Sequence, residues 1–390
     1  MKFKLPIRAC IAIVLTFAVC TSVTTAYFLK NKLIGIDYNT VTKISEISNL
    51  VEKEYYLDID SQKLSDSIVS GYVNGLGDKY AAYYSLDTSS AQMDSINGDT
   101  HGIGIIAVED PITRDIFVWR VYRDSPAESA GIKSGDHIIN VNGEKVTEIG
   151  FTAAVNKIQG EVGKKSKLTL SRGKKTFTAE VECAETDMQS VYSYVPKGTN
   201  IGVVQVIDFN KKTYPQFKAE VSYYVDTGAE GLIIDLRHNN GGTVDTAAEM
   251  LDYLLPECNT IHVKYKDGKV QVRDTSDASS VDLPIVILTD GNTLSASEIF
   301  TSVMKQQENV TVIGQKTYGK SLIQRTYKLS YGSLVKFTIG EFVPATGESY
   351  NGIGITPDIV IEPEYTISYN YYFLTPDKDK VLAAAIKHLS

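Results

Sequence analysis

The sequence predicts a multidomain protein of the α/β (α+β) class that begins with an N-terminal membrane helix. Three observations support this prediction. The chain has 390 residues, which is long enough for two or three domains. After about residue 192, apolar runs typical of strands alternate with runs typical of helices, and this pattern predicts a mixed or largely parallel sheet. An uncharged run from Ala9 to Leu29 stands near the start.

The uncharged run is long enough to span a membrane. As a helix it would be about 31 Å long, which matches the hydrocarbon core of a bilayer. Basic residues precede it, namely Lys2, Lys4 and Arg8. We interpret residues 1–37 as a cytoplasmic tail and an uncleaved signal anchor, so the rest of the chain would lie outside the cytoplasm at the cell membrane. A cleaved secretory signal ending near Ala26 stays open as the alternative.

Composition narrows the classes of partner and cofactor. The net charge is −8 and no long basic run occurs, so nucleic acid is not an expected partner. No cysteine or histidine pattern typical of a metal site is present, and no cofactor is indicated. Of the four cysteines, only Cys183 and Cys258 lie in the exported part, and spacing does not decide whether they pair.

A serine and a lysine are the strongest candidates for catalysis. Ser295 follows an apolar strand-like run at 284–288, and Lys320 follows a second such run at 310–313. A serine hydroxyl becomes a good nucleophile only when a base takes its proton. A lysine can be that base only when it is neutral, and burial can lower its pKa far enough. A serine at a strand-to-helix turn beside a lysine on a buried turn would form such a pair.

Other interpretations of these residues stay open at this point. Ser295 with Glu298 also has the pattern of a capping box, in which the serine only caps a helix. Lys320 alone would normally be a solvated surface residue. A Ser-His-Asp arrangement with His238 and Asp235 is disfavoured, because residues three apart at a strand end point to opposite faces.

The surroundings of the pair resemble the C-terminal processing peptidases, which are serine peptidases with a Ser/Lys dyad and an embedded PDZ domain. The resemblance covers most of the chain after the first 40 residues. It rests on Ser295-Ala296-Ser297-Glu298-Ile299 with Tyr318-Gly319-Lys320 and Gln324, on Asp235-Leu236-Arg237-His238-Asn239-Asn240-Gly241-Gly242, and on Leu76-Gly77-Asp78-Lys79-Tyr80. It implies that Ser295 is the nucleophile, that Lys320 is the general base and that Gln324 orients the lysine.

Acyl transfer also needs an oxyanion hole. The backbone N–H of Ala296 follows the serine at a predicted helix N-terminus, which is electropositive. We expect the second donor in Gly241 and Gly242, because glycines allow close approach of the backbone. Paired glycines also occur in tight turns without any catalytic role. Asn240 stands where the family has proline, and it keeps its N–H group.

The same patterns divide the chain into regions. Residues 38–91 read as a helical N-terminal cap, which the resemblance links to homodimer formation. Residues 92–184 are predicted as the inserted PDZ domain and residues 185–365 as the mixed α/β protease core. A C-terminal segment, 366–390, is expected to end in a helix over Lys380–Leu389.

The predicted PDZ domain carries a candidate peptide site. Gly102, Ile103, Gly104 and Ile105 resemble its carboxylate-binding loop, in which backbone N–H groups hold a peptide C-terminus. The helix predicted over Phe151–Ile158 would flank the peptide groove. Many relatives carry an arginine at the position of Gln159, so the sequence does not predict that peptide binding activates the protease.

The sequence therefore predicts a serine endopeptidase that cleaves exported proteins or peptides and recognises their free C-termini. The alternative is a non-catalytic protein that binds peptides or lipids with the same core fold. Such a protein is expected to lose the serine or the lysine. Retention of Ser295, Lys320 and Gln324 in the family's order favours the enzyme.

Overall fold

The structure is a computed structural model that describes residues 16, 17, 21, 37–345, 347, 349–362, 371–375 and 377–390. The chain divides into two compact units, Met1–Ser67 and Ile68–Ser390. The predicted signal anchor lies outside the described residues except at three positions. Within the described ranges, no helix is both long enough and apolar enough to cross a bilayer.

The predicted helical cap begins with two helices. Helix α1 covers Tyr38–Glu54 and helix α2 covers Ser61–Asn74. A short strand, β1 (Ala82–Tyr84), and helix α3 (Leu86–Asn97) follow. The strand departs from the purely helical expectation for residues 38–91, because its partner lies about 250 residues later, where local periodicity cannot reveal it: Ala82 pairs with Lys336.

A β-rich domain follows α3. Its strands are β2 (Asp99–Gly102), β3 (Ile105–Glu109), β4 (Ile116–Val121), β5 (His137–Val141), β6 (Glu144–Lys145), β7 (Lys165–Arg172), β8 (Lys175–Glu182) and β9 (Ala184–Asp187). Its helices are α4 (Pro126–Ser129), α5 (Val146–Ile149) and α6 (Phe151–Ile158). Strands β3, β4, β5, β7 and β8 form one antiparallel sheet, and β6 pairs with β5. Helix α6 has the predicted bounds.

The centre of the predicted protease core is a six-stranded mixed sheet. Its strands are β10 (Val191–Tyr194), β11 (Ile201–Val206), β12 (Gly231–Asp235), β15 (Ile285–Thr289), β16 (Val310–Gly314) and β19 (Ile359–Val360). They lie side by side in this order, with β10 antiparallel and the others parallel. Every residue of β11, β12 and β15 is buried, which explains their uninterrupted apolar runs.

Helices cover both faces of this sheet. Helices α7 (Thr213–Asp226), α8 (Val244–Leu254) and α9 (Ala296–Met304) pack on one face, and α10 (Lys380–Leu389) packs on the other. Alternate residues of a strand point to opposite faces, so Ile234 joins the first core while Ile233 joins the second. This layering leaves the strand ends free to carry a site.

A second sheet lies beside the first. It contains β1, β13 (Cys258–Tyr265), β14 (Val270–Ser276), β17 (Leu322–Lys328) and β18 (Leu334–Phe342), and β18 pairs with β1, β13 and β17. Strand β17 begins two residues after Lys320. The two cysteines that could have paired, Cys183 and Cys258, are both free.

A buried charge cluster fastens the end of β12 to the start of α10. The guanidinium of Arg237 is bonded to Asp235 Oδ2 at 2.7 Å and to Asp379 Oδ2 at 2.7 Å. Asp379 also accepts hydrogen bonds from the first turn of α10. Both carboxylates satisfy the buried guanidinium, and the loop after β12 therefore leaves the sheet from a fixed point.

Candidate active site

Ser295 lies on a strained turn between β15 and α9. Its φ is 61° and its ψ is −120°, in a region that residues other than glycine seldom occupy. Such strain persists only where the surrounding structure enforces it, and it is often found at functional sites. The next residue, Ala296, opens α9, so Ser295 stands at the electropositive end of a buried helix.

Glu298 joins the serine turn to the lysine turn. Its side chain is fully buried, and its carboxylate accepts four hydrogen bonds. Oε2 accepts from the N–H of Ser295 at 3.0 Å and from the N–H of Lys320 at 2.7 Å. Oε1 accepts from Thr317 Oγ1 and from the N–H of Gly319, each at 2.6 Å. The capping interpretation of Glu298 was therefore incomplete, because one carboxylate fixes both turns.

Lys320 is half-buried, and its ammonium lies over the ring of Tyr80, 4.4 Å from the centroid. Burial lowers the pKa of Lys320 below its usual value, and the positive charge of Lys336 lowers it further, while Glu298 acts in the opposite direction. A lysine held in this way is more easily neutral near physiological pH than a solvated one, as a general base requires.

The glycine pair lies against the serine turn. A Cβ added to Gly241 would come within 2.8 Å of the Ala296 nitrogen and 2.9 Å of Ser295 Cβ, so only glycine fits there. The N–H of Gly241 is already used, because it donates to Asn239 Oδ1 at 2.8 Å. Among the described residues, the N–H groups of Ala296 and Gly242 have no protein acceptor. Gly241 therefore contributes close approach, and Gly242 rather than Gly241 offers a free donor.

One cleft of about 460 Å³ brings together Ser295, Lys320, Gln324 and Gly242. In this part of the chain no hydrogen bond joins Ser295 to Lys320; such contacts often tighten only when substrate binds. The side-chain amide of Gln324 donates to Leu322 O at 3.0 Å and to Thr338 Oγ1 at 3.2 Å. An orienting contact from Gln324 to Lys320 stays a prediction.

The other candidate catalytic residues contact residues other than Ser295 and Lys320. Ser297 is fully buried, and its hydroxyl donates to Asn239 O at 3.0 Å. His238 lies against Asp290 and lines a different cavity from the one that contains Ser295. Asp235 is bonded to Arg237. Neither the second serine nor a His–Asp pair is therefore placed to serve Ser295.

Sequence reasoning missed the position of two residues beside Lys320, Tyr80 and Lys336. Tyr80 belongs to a segment that resembles the family, but nothing in its pattern shows that it faces a lysine 240 positions later. Asp78 fastens that segment to the core by accepting the N–H of Thr338 at 2.9 Å. Lys336 lines the cleft from β18, and only the strand pairing reveals its position.

The predicted peptide loop borders a second cavity of about 710 Å³. Residues 102–105 form one wall, and Phe151, Val155 and Ile158 of α6 form another. A Cβ at Gly104 would lie 2.3 Å from Ser125 Cβ, and its φ is 79°, so glycine is required. Among the described residues, the N–H groups of Ile103 and Gly104 have no protein acceptor, as a carboxylate site needs.

Helix α3 lies between the two cavities. Ala91 and Asp94 face the cavity at the peptide loop, and Gln92 and Ile96 face the cleft with Ser295. Ser95 lines both. A single helix thus separates the candidate peptide site from the candidate active site.

Asp208 is an unexpected acid in the wall of the cleft. Burial raises its pKa to about 6, although hydrogen bonds with Asn210 act to lower it. Above that pH the carboxylate is charged while buried, which lowers the stability of the folded state. Below pH about 4 the group is neutral in both the folded and unfolded states, so this cost disappears. We expect Asp208→Asn to stabilise the protein by up to about 3 kcal/mol at pH 7.5.

The gain from Asp208→Asn should shrink as the pH falls from about 6 to 4, as urea unfolding at several pH values can measure. Asp226→Asn, at an exposed position, is the matched control. A gain that does not change with pH would contradict the assignment of a raised pKa to Asp208.

Comparisons with known proteins show to which family the chain belongs. The model of peptidase family S41 matches residues 200–361, and the model of the PDZ domain matches residues 92–171. The carboxy-terminal processing protease CtpA of Bacillus subtilis (strain 168) is 32% identical over 362 residues, which cover 90% of this chain and 77% of that protein. The chain belongs to peptidase family S41. The predicted family is thus confirmed, and this S41 member is a serine-type peptidase with a PDZ domain.

Other similar proteins support the same family assignment. A "Probable CtpA-like serine protease" of Staphylococcus aureus (strain COL) is 31% identical over 364 residues, covering 91% of this S41 chain and 72% of the other. The solved structure of a Bacteroides fragilis protein assigned to the S41 proteases has a TM-score of 0.59 at 16% identity. It covers 86% of this chain and 92% of its own, and at that identity it supports the fold alone.

Proposed function

We propose that this S41 peptidase cleaves exported proteins or peptides through a dyad in which Ser295 is the nucleophile and Lys320 is the general base. The observation that carries the proposal is Glu298, whose buried carboxylate holds the N–H groups of both residues and so fixes the two turns against one cleft. The strained φ of Ser295 and the lowered pKa of Lys320 support the same roles.

In the first half of the reaction, the Ser295 hydroxyl gives its proton to neutral Lys320 and attacks the carbonyl carbon of the scissile peptide bond. Negative charge then develops on the carbonyl oxygen. The N–H groups of Ala296 and Gly242 are suited to receive it, because they are free and because α9 directs its positive end there.

In the second half, protonated Lys320 donates its proton to the leaving amine, and the carbon–nitrogen bond breaks to leave an acyl-enzyme. Lys320 is then neutral again and takes a proton from the water that attacks the ester carbonyl. The ester C–O bond breaks, the acid product leaves, and Lys320 returns the proton to the Ser295 oxygen. When Lys320 is protonated, the ring of Tyr80 lies over its ammonium and helps to keep it at the cleft.

A fluorophosphonate probe tests this proposal without knowledge of the substrate. The Ser295 oxygen would displace fluoride from phosphorus, so the native protein should be labelled and Ser295→Ala should not. Labelling at another residue, or no labelling of a folded protein, would favour the alternative of a binding protein with the same core fold.

We also propose that residues 9–29 anchor the chain in the cell membrane with the catalytic part outside the cytoplasm. The support for the anchor is the uncharged length of that segment. Basic residues flank it on both sides, with Lys30 and Lys32 after it, so the orientation rests partly on the family resemblance. Resistance of the protein to carbonate extraction, and its digestion by external protease in intact spheroplasts, are the expected results. Release by carbonate would instead favour a cleaved signal.

Self-association through the N-terminal helices is a separate proposal. Helix α1 exposes apolar side chains such as Ile47 and Leu50, each 61% accessible. Charged substitutions at both positions should lower the mass that light scattering measures, if these side chains form a homodimer contact.

The pH dependence of cleavage should follow Lys320. Because the base must be neutral, the rate is expected to rise with pH through the lowered pKa of Lys320. In Lys336→Gln a neighbouring positive charge is removed, so the pKa of Lys320 and the midpoint of the pH–rate profile should both move upward.

The matched control for this shift is Lys328→Gln, an exposed lysine on the neighbouring strand that does not line the cleft. Its profile should coincide with that of the native protein. A rate that falls steadily from pH 6 to pH 9 in folded protein would argue against a lysine base.

The cavity at residues 102–105 should bind peptides with a free, apolar C-terminus. Calorimetry with the Ser295→Ala protein avoids cleavage during the measurement. Amidating the peptide removes a charge and an acceptor oxygen, so binding should weaken by about 1–3 kcal/mol. Equal affinities of the acid and amide forms would contradict the carboxylate-loop interpretation.

A further inference from the structure

Lys336 carries a positive charge in the cleft that no carboxylate of the described residues neutralises. Its side chain is half-buried, and among those residues it has neither a salt bridge nor a hydrogen bond. The ring of Tyr84 lies 5.6 Å from its Nζ. Taking part of an ammonium out of water costs free energy unless an acceptor replaces the water. An arriving carboxylate would supply that acceptor.

The charges around Lys320 increase the benefit of such a carboxylate. Burial lowers the pKa of Lys320, and the positive charges of Lys336 and Lys79 lower it further. The three ammonium groups therefore repel one another when all are protonated. The two carboxylates that attract Lys320, those of Glu298 and Asp78, already accept backbone N–H groups. A further carboxylate beside Lys336 would relieve the repulsion.

Strand pairing fixes the position of Lys336. On β18 it lies between Ala82 of β1 and Thr326 of β17, and it pairs directly with both. Directly paired residues share a face of the sheet, as do residues two apart on one strand, so Gln324, Thr326 and Lys336 lie on one face. All three line the cleft that contains Ser295. The ammonium is thus carried by a backbone that is held on both sides.

Thr326 adds a second donor beside the ammonium. Its side chain is half-buried, and in the part of the chain that the structure describes its hydroxyl has no hydrogen-bond partner. A threonine hydroxyl can donate one hydrogen bond, and a carboxylate can accept several through its two oxygens. The pair Lys336 and Thr326 therefore offers a charge and a neutral donor to one carboxylate.

The other charged residues of the cleft do not take the place of Lys336. Asp245 and Arg273 form a salt bridge with each other. Asp208 adds a negative charge to the wall, so the cleft is not uniformly positive. Arg325 lines the cleft too, but it alternates along β17 with the residues that share the face of Lys336. Attraction of a carboxylate should therefore be local.

We propose that Lys336 and Thr326 form a specificity subsite that binds an acidic side chain of the substrate within a few residues of the scissile peptide bond. This inference rests on the proposed function of Ser295 and adds the class of substrate, namely chains with Asp or Glu close to the cleaved bond. The ammonium pairs with the carboxylate and the hydroxyl donates to it. No covalent bond changes at the subsite.

Positional peptide libraries test the subsite without knowledge of the natural substrate. Each library fixes Glu, Gln or Lys at one position of a dodecapeptide that ends in valine with a free carboxylate, so the terminus is the same in every comparison. Mass spectrometry identifies the cleaved bond, and initial rates of the full chain at low peptide concentration give kcat/KM. At the positions that reach Lys336, Glu should be favoured over Gln by about fivefold or more, as expected for a partly buried ion pair. Lys should be the poorest of the three.

Lys336→Met is the decisive variant, because methionine has a similar length but neither a charge nor a donor. The Glu-to-Gln ratio should fall to less than about twofold, the scale of a weak exposed contact. The variant also changes the pKa of Lys320, but kcat/KM depends on the free enzyme, so this change affects both peptides equally. Lys336→Arg should keep the preference, and Thr326→Val should reduce it.

The matched control is Lys328→Met, the same change at an exposed position of β17 that does not line the cleft. Arg325→Met distinguishes Lys336 from the overall charge of the cleft. Both variants should keep the native ratio. A native ratio of one at every position overturns the proposal, as does an unchanged ratio in Lys336→Met or an equal loss in either control. If Lys336→Met does not fold, an unchanged ratio in Thr326→Val overturns it.

A second comparison separates the two sources of a carboxylate. If Lys336 held the free C-terminus of the substrate, Lys336→Met would lower the ratio of the rates for the acid and amide forms of one peptide. The Glu-to-Gln ratio would then be one, which overturns the proposal.

Failure of the subsite is distinguishable from failure of the proposed function. If cleavage depends on Ser295 and the native Glu-to-Gln ratio is one, only the subsite is wrong. If no library is cleaved, or if Ser295→Ala cleaves as fast as the native protein, the proposed function is wrong and the subsite falls with it.

Discussion

Replacing Ser295 or Lys320 by alanine is expected to abolish peptide cleavage while the protein stays folded. Loss of a nucleophile or of its base typically lowers turnover by about four orders of magnitude or more. Both side chains lie at a cleft and are only partly buried, so their truncation removes little packing. Turnover of fluorescently labelled casein at pH 8, together with thermal unfolding, measures the two effects separately.

Ser297→Ala is the control for this experiment, because it changes a serine two residues away. It removes the hydrogen bond to Asn239 O, which costs about 1 kcal/mol of stability, and it should leave measurable cleavage. An inactive Ser297→Ala protein beside an active Ser295→Ala protein would reverse the assignment of the nucleophile. If Lys320→Ala kept full activity, another group would have to be the base.

Glu298→Gln is expected to impair both stability and cleavage. The carboxylate accepts hydrogen bonds from four donors, and an amide can accept through only one of its two oxygen positions. The new NH₂ group would face two N–H or O–H donors inside a fully buried site. Two lost bonds to a charged group cost about 3–6 kcal/mol in total, so cleavage should fall more than tenfold and unfolding should occur at lower urea concentration.

The control for Glu298→Gln is Glu308→Gln, a change of the same size at an exposed position shortly after α9. It should leave both the cleavage rate and the urea midpoint within about 0.5 kcal/mol of the native values. A Glu298→Gln protein with native stability and native turnover would show that the shared carboxylate does not hold the two turns in place.

The sequence predicts well where periodicity and motif act locally. Helices α6 and α10 have the predicted bounds, because their apolar residues recur at helical spacing, and the side chain of Asp379 also caps the start of α10. The strand before Ser295 is predicted by an apolar run that the parallel sheet buries on both faces. The resemblance also predicts the family, and the comparisons confirm that prediction.

Contacts between distant segments are what the sequence does not predict. Tyr80 meets Lys320, and Thr338 meets Asp78, only because β1 pairs with β18. Glu298 reads as a simple capping residue until the lysine turn is brought against it. The hydrogen bond from the N–H of Gly241 to Asn239 Oδ1 is likewise not predictable, because the local sequence does not show how that loop folds.

The position of helix α3 between the two cavities has a consequence for substrate selection. A chain whose C-terminus bound at residues 102–105 would be tethered on the other side of α3 from the cleft, so its upstream segment would sample the cleft at a high effective concentration. A peptide bond that is a poor substrate would then be cleaved readily in a chain whose C-terminus binds this cavity. The same bond would be cleaved slowly in a chain whose C-terminus does not bind there. The downstream fragment keeps that terminus, so its departure from the tether would limit how soon the next chain can enter.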